Sequence, residues 1–121
     1  MLVVDDAADL RRIIETALKH AEYDVQTAEN GQRALELCKL RDPDVILVDI
    51  DMPMVNGHAF VNAYRALPTA NARIIVMSGH AAESEARTMA CEFGLSKPFS
   101  MDEVLAAVRY LSSLTPVNVS P

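Results

Sequence analysis

At 121 residues, 50 % of them hydrophobic and 23 % charged, the chain has the size and composition of one ordinary globular domain. Its formal net charge of −6 argues against a nucleic-acid surface on these residues, because phosphate binding needs a basic face. No apolar run reaches the roughly eighteen residues of a membrane span, and the N-terminus lacks the pattern of an export signal. No membrane partner and a cytoplasmic location are therefore expected.

Leu2-Val3-Val4 reads as a strand ending in Asp5-Asp6. Leu10, Ile13, Ile14, Ala17, Leu18 and Ala21 then follow helical spacing, with Asp9 as the expected N-cap. Val25 to Ala28 forms a second strand, and Asn30-Gly31 turns into a helix carrying Ala34, Leu35 and Cys38. Val45-Ile46-Leu47-Val48 is a continuous apolar run, which suits a strand covered on both faces, and it ends at Asp49. A loop with Pro53, Asn56 and Gly57 leads to a helix bearing Phe60, Val61, Tyr64 and Leu67.

Arg73 to Met77 is the fourth strand, closed by Ser78-Gly79. The next helix, over about Glu83 to Ala90, is poor in large apolar groups and is expected to pack loosely. Leu95-Ser96 is a minimal fifth strand before Lys97-Pro98-Phe99. The last helix starts near Met101 with Val104, Leu105, Val108 and Leu111 as its stripe, and Ser100 with Glu103 forms a capping box. Strands alternating with helices make five βα units in one doubly wound parallel α/β domain, residues 1–114, with 115–121 as a free tail. Cys38 and Cys91 are too few for a disulfide framework, lack metal-site spacing and read as buried thiols.

In open parallel sheets, ligands sit beyond the carboxyl ends of the strands, where the winding reverses. With strand order 2-1-3-4-5 that crevice lies between the first and third strands, which here end in Asp5-Asp6 and Asp49. Two carboxylates about 4.5 Å apart at an effective dielectric near 20 cost each other roughly 3 to 4 kcal/mol. Either one is protonated or a cation fills the gap. Oxygen ligands select Mg²⁺, Mn²⁺ or Ca²⁺, and without a calcium loop Mg²⁺ fits best, with Mn²⁺ as a substitute. His20, His58 and His80 are scattered and form no zinc pattern. Ser78 adds a hydroxyl donor, Lys97 a mobile positive charge, and Gly79 room for backbone to approach a ligand. An acceptor carboxylate, a metal, a hydroxyl and a lysine make a phosphoryl-transfer site built on charge compensation.

Over residues 1 to 112 the chain resembles the receiver domains of bacterial two-component signalling. The resemblance rests on Leu2-Val3-Val4-Asp5-Asp6, on Pro43 to Pro53 around Asp49, on Asn56-Gly57, on Ile74 to Gly79 and on Lys97-Pro98-Phe99. It implies a flavodoxin-like three-layer sandwich with Asp49 as the phospho-acceptor. It also implies Asp6 and Asp49 as direct ligands of Mg²⁺, Asp5 as one acting through water, and Asp51 as one acting through its backbone carbonyl. Ser78 and Lys97 become the phosphoryl-contacting pair, and Lys97-Pro98 a cis bond. The implied partner is a sensor histidine kinase or a histidine phosphotransfer domain, with Arg11, Arg12 and Glu15 on the first helix as contacts.

Asp51 and His80 hold the positions that tune phosphoryl lifetime in this family, and their expected role is to set the access of hydrolytic water. The switch region comprises Ser78, Phe93 and Gly94. Gly94 stands where the family usually has an aromatic residue, and a one-residue shift would bring in Phe93. Ala7 replaces a usual polar or acidic residue, and the first strand starts a few residues early. A single-domain regulator and a piece of a hybrid kinase or larger regulator both remain open, as does a homodimer through the fourth- and fifth-helix face. Two other readings compete: a degenerate receiver serving as a binding module, and a haloacid-dehalogenase-type phosphatase suggested by Asp49-Ile50-Asp51. The phosphatase places that motif on the first strand and needs a later acidic pair, neither of which this chain offers.

Overall fold

The computed structural model describes residues 1–52, 57–79 and 82–113. Five strands, β1 (Leu2–Val4), β2 (Gln26–Ala28), β3 (Val45–Asp49), β4 (Arg73–Ser78) and β5 (Phe93–Ser96), form one parallel sheet in the order β2-β1-β3-β4-β5. Helices α1 (Ala8–His20) and α5 (Met101–Ser113) pack on one face. Helices α2 (Gly31–Leu40), α3 (Gly57–Arg65) and α4 (Ala82–Thr88) pack on the other.

The alternation of side chains along a strand builds both cores at once. Val3, Val45, Leu47, Ile75, Met77 and Leu95 meet Ile14 and Leu18 of α1 and Val104, Val108 and Leu111 of α5. Leu2, Val4, Ile46, Val48, Ile74 and Val76 meet Leu37, Phe60, Val61, Tyr64 and Ala86 across the sheet. The buried Tyr64 keeps its hydroxyl satisfied at the amino end of the sheet. It donates to Asp42 Oδ1 at 2.6 Å and accepts from the backbone N–H groups of Asn71 and Ala72. Cys38 is buried in α2, where loss of water pushes its thiol pKa up to about 11, whereas Cys91 is only half-buried beyond α4.

Several local expectations need correction. The N-cap of α1 is Ala7, not Asp9, which lies in the first turn; no side chain caps the helix, and Asp5 Oδ1 accepts the Ala7 N–H at 2.9 Å in the turn before it. Ile13 is not part of the buried stripe but 51 % exposed, because the face that meets α5 and the sheet is set by Ile14 and Leu18. β5 starts two residues before Leu95, paired in register with β4 from Ile75↔Phe93 onward. The capping box of α5 is present: Glu103 N–H donates to Ser100 Oγ at 3.1 Å, and Ser100 N–H donates back to Glu103 Oε1 at 3.3 Å.

The fourth helix is not the loosely held element its composition suggests. Its small side chains let the helix backbone close on β5, and a Cβ built on Gly94 would lie 2.4 Å from the Ala82 carbonyl oxygen. Glu85 pairs with His58 of α3 at 2.8 Å. Beyond the helix, Arg65 of α3 donates to the carbonyls of Met89 and Ala90.

Candidate functional site

The acidic pair, the β3 terminus and the ends of β4 and β5 meet at the carboxyl edge of the sheet, where β1 and β3 lie side by side and the winding reverses. Register fixes the placement. Val4 pairs with Val48, so Asp5 follows one strand as Asp49 ends the other; Asp49 is level with Met77, one residue before Ser78. Ser78 pairs with Ser96, and the Lys97 N–H donates to the Ser78 carbonyl at 2.8 Å, which extends the ladder and delivers the lysine to the same edge. The Lys97-Pro98 bond that follows is cis.

Asp5, Asp6 and Asp49 each offer a carboxylate oxygen, and these atoms all lie within 4.8 Å of one another. Asp5 is 0 % exposed and Asp49 2 %, while Asp6 faces solvent. Asp49 is held from both sides: Oδ2 accepts from Lys97 Nζ at 2.9 Å, and Oδ1 accepts the Asp51 N–H at 2.8 Å. Asp5 is held differently. One oxygen accepts from Ala7, the Arg11 guanidinium donates to the Asp5 backbone carbonyl at 2.7 Å, and Oδ2 is buried without a hydrogen-bond partner among the described residues.

That orphaned oxygen and its setting decide the electrostatics. Burial, reinforced by the negative charge of Asp49, raises the Asp5 pKa to about 6, against the opposing pull of the Ala7 N–H and Lys97. For Lys97 burial works to lower the pKa, but the bond to Asp49 and the charges of Asp5 and Asp51 outweigh it, so the net shift is upward. The lysine therefore stays charged through neutral pH. A buried carboxylate oxygen without a donor, facing two more carboxylates, is the polar surroundings a hard divalent cation requires.

Asp51 presents more than its backbone. Its exposed side chain reaches across to the end of β4, where Oδ2 accepts the Gly79 N–H at 2.8 Å and Oδ1 accepts the Ser78 hydroxyl over a long 3.4 Å. No motif in the sequence signals this contact. Its only trace is the presence of a third acidic residue two places after Asp49.

The structure thus brings together Asp5, Asp6, Asp49, Asp51, Ser78 and Lys97. His80, Pro53, Asn56 and the tail from residue 114 onward lie outside the described residues. One expectation is revised. Arg11 is half-buried and braces Asp5, which leaves Arg12 as the exposed arginine of α1. Phe93, level with Ile75 of β4, lines a groove with Glu83, Ala86 and Arg87 of α4 and with Gly94. Phe93 is 37 % exposed.

The chain belongs to the response regulator receiver domain family, whose model matches residues 1–109. It is a receiver domain of the kind found in response regulators of two-component systems. Protein PilG of Pseudomonas aeruginosa is 34 % identical over 128 residues, covering 98 % of this chain and 91 % of that protein. The transcriptional regulatory protein PrrA of Mycobacterium tuberculosis is 34 % identical over 92 % of the chain but only 48 % of its own length. The chain spans about half the length of most of the curated relatives it matches.

Among solved structures, Thermotoga maritima TrrA, determined in complex with Mg(2+)-BeF, superposes with a TM-score of 0.79 at 30 % identity, covering 91 % of this chain and 96 % of that one. The chemotaxis response regulator CheY4 of Vibrio cholerae gives 0.83 at 28 %, covering 91 % and 95 %. The expectation that nucleic acid is not a partner gains no support from relatives described as transcriptional regulators. No helix among the described residues is long and apolar enough to cross a membrane.

Proposed function

We propose that Asp49 is the phospho-acceptor of this receiver and that it takes its phosphoryl group from a phosphohistidine on a sensor kinase or phosphotransfer domain in the cytoplasm. The observation that carries the reading is a nearly buried carboxylate paired with Lys97 at 2.9 Å and gathered with Asp5 and Asp6 within 4.8 Å at the carboxyl edge of the sheet. An oxygen of Asp49 attacks phosphorus in line, an O–P bond forms as the P–N bond of phosphohistidine breaks, and the leaving imidazole keeps the electron pair and takes up a proton. Lys97 neutralises charge on the transferred group, and Ser78 offers it a hydroxyl donor. Asp6 and Asp49 directly, Asp5 through water and the Asp51 carbonyl are the residues that would hold Mg²⁺, with Mn²⁺ able to replace it. When bound, the ion supplies positive charge against the phosphoryl oxygens.

On this reading the protein catalyses only its own phosphorylation and dephosphorylation. The domain extends over residues 1–114. Asp51 with His80 governs how long the phosphoryl group lasts, and Ser78 with Phe93 and the Gly94 contact to α4 relays its presence. Phosphoryl binding then shifts the population between existing conformers. Exposed Arg12, with Glu15 beside it, is the reading's contact for the donor.

Incubation with Mg²⁺ and acetyl phosphate tests the proposal by intact mass. One added phosphate is expected, stable to acid, removed by hydroxylamine and absent in Asp49→Asn. Continuous turnover of the donor would instead favour a phosphatase, and no modification at all a binding module.

A further inference from the structure

One backbone donor at the site, the Gly79 N–H, is already occupied by an anion of the protein's own, which also lies at a longer distance from the Ser78 hydroxyl. Resting on the reading of Asp49 as phospho-acceptor, we propose that the Asp51 carboxylate is an intramolecular stand-in for the phosphoryl group, holding its donors in the unphosphorylated protein and competing with it for them. Asp51 Oδ2 accepts the Gly79 N–H at 2.8 Å, a short charge-assisted hydrogen bond, and Oδ1 accepts the Ser78 hydroxyl at 3.4 Å. Ser78 is the hydroxyl at the site, and Gly79 is the backbone N–H next to it. The Asp49 oxygens accept instead from Lys97 and from the Asp51 N–H, so it is the Asp51 carboxylate that meets the Gly79 N–H and the Ser78 hydroxyl.

The same residue therefore acts on both sides of the reaction. Its N–H positions the acceptor, and its side chain covers the place where the transferred oxygens need partners. Asp51 is exposed, so its side chain can leave for water without opening the core. A population in which the donors are occupied lowers the apparent affinity for any incoming anion by the fraction left free. Asp51 is thus a positioning residue whose side chain restrains phosphorylation.

The experiment pairs wild type with Asp51→Ala and uses beryllofluoride with Mg²⁺ as the phosphoryl mimic, followed by amide NMR. Three results are expected. In the resting protein the Gly79 amide proton loses its carboxylate partner and moves upfield in Asp51→Ala. Half-saturation by beryllofluoride falls about fivefold or more in the variant, and the gain persists in about 1 M salt, where charges further than roughly 3 Å apart are screened. At saturation the Gly79 shifts of the two proteins converge, since the same N–H has passed to the same ligand.

A Gly79 amide indifferent to the substitution, or a gain that salt abolishes, overturns the stand-in and leaves only general charge repulsion. A wild type that binds beryllofluoride and a variant that binds it no better overturns the competition alone. A wild type that takes none overturns the functional reading, and the competition with it.

Discussion

β3 and β5 deliver the two ends of one ion pair, Asp49 and Lys97, yet they are held in place by opposite means. Every residue of β3 is buried, and its side chains fill both cores. In β5 only Leu95 is buried, and the strand is fixed instead by a helix backbone that closes on Gly94. The acceptor therefore sits on a strand locked by bulk, and the lysine follows a strand locked by the absence of a side chain. A rigid acceptor opposite a partner on the thinner flank suits a site where one group must stay and its surroundings must respond.

That contrast can be broken at its strong side first. Leu47→Ala removes a fully buried side chain from the centre of the sheet and should cost about 3 to 4 kcal/mol in urea unfolding followed by circular dichroism. A loss under about 1 kcal/mol would mean that β3 is not the anchor described.

Next in size is the electrostatic strain beside β3. The folded pKa of Asp5, about 6, lies above its ordinary value of 3.8, so between those values the folded protein binds more protons than the unfolded chain. Metal-free stability should therefore fall as pH rises from about 4 to about 6 and stay low above it, by roughly 3 kcal/mol at most. Thermal melts across that range check the sign. Asp5→Asn should flatten the slope and raise metal-free stability at neutral pH, while forfeiting the stabilisation by Mg²⁺ that the wild type shows through mass action.

On the flank, Gly94→Ala should cost about 2 kcal/mol by forcing the Ala82 backbone away, and should raise hydrogen exchange in α4 while sparing β3. Equal loosening of both strands would erase the distinction. The smallest effect belongs to Ser100→Ala at the start of α5, about 1 kcal/mol in the same unfolding assay, because it removes a surface cap and leaves both cores untouched.

The sites of failure in reading the chain share a cause. The strand runs, the helical stripe of α5 and its Ser100–Glu103 box were legible because each depends on residues a few places apart. Asp9 has the composition of a cap, yet α1 starts earlier, at Ala8, directly after the turn that Asp5 closes on Ala7. Ile13 fitted a helical period yet faces solvent, since a stripe two residues wide sufficed for the core that α1 shares with α5. Small residues in α4 suggested looseness. Only the juxtaposition with Gly94, distant in sequence, turns them into a close fit.

By itself the order of elements determined the parallel sheet, the reversal between β1 and β3 and hence the meeting of Asp5, Asp6, Asp49, Ser78 and Lys97, because topology carries every strand end to the same edge. Tertiary structure alone decided what each side chain does once there. It turned Arg11 inward to brace Asp5, left one Asp5 oxygen buried without a donor, and laid the Asp51 carboxylate on Gly79 and Ser78. Strand periodicity specifies where a backbone ends; the direction of a polar side chain at that end depends on donors brought in from other elements, which no local pattern encodes.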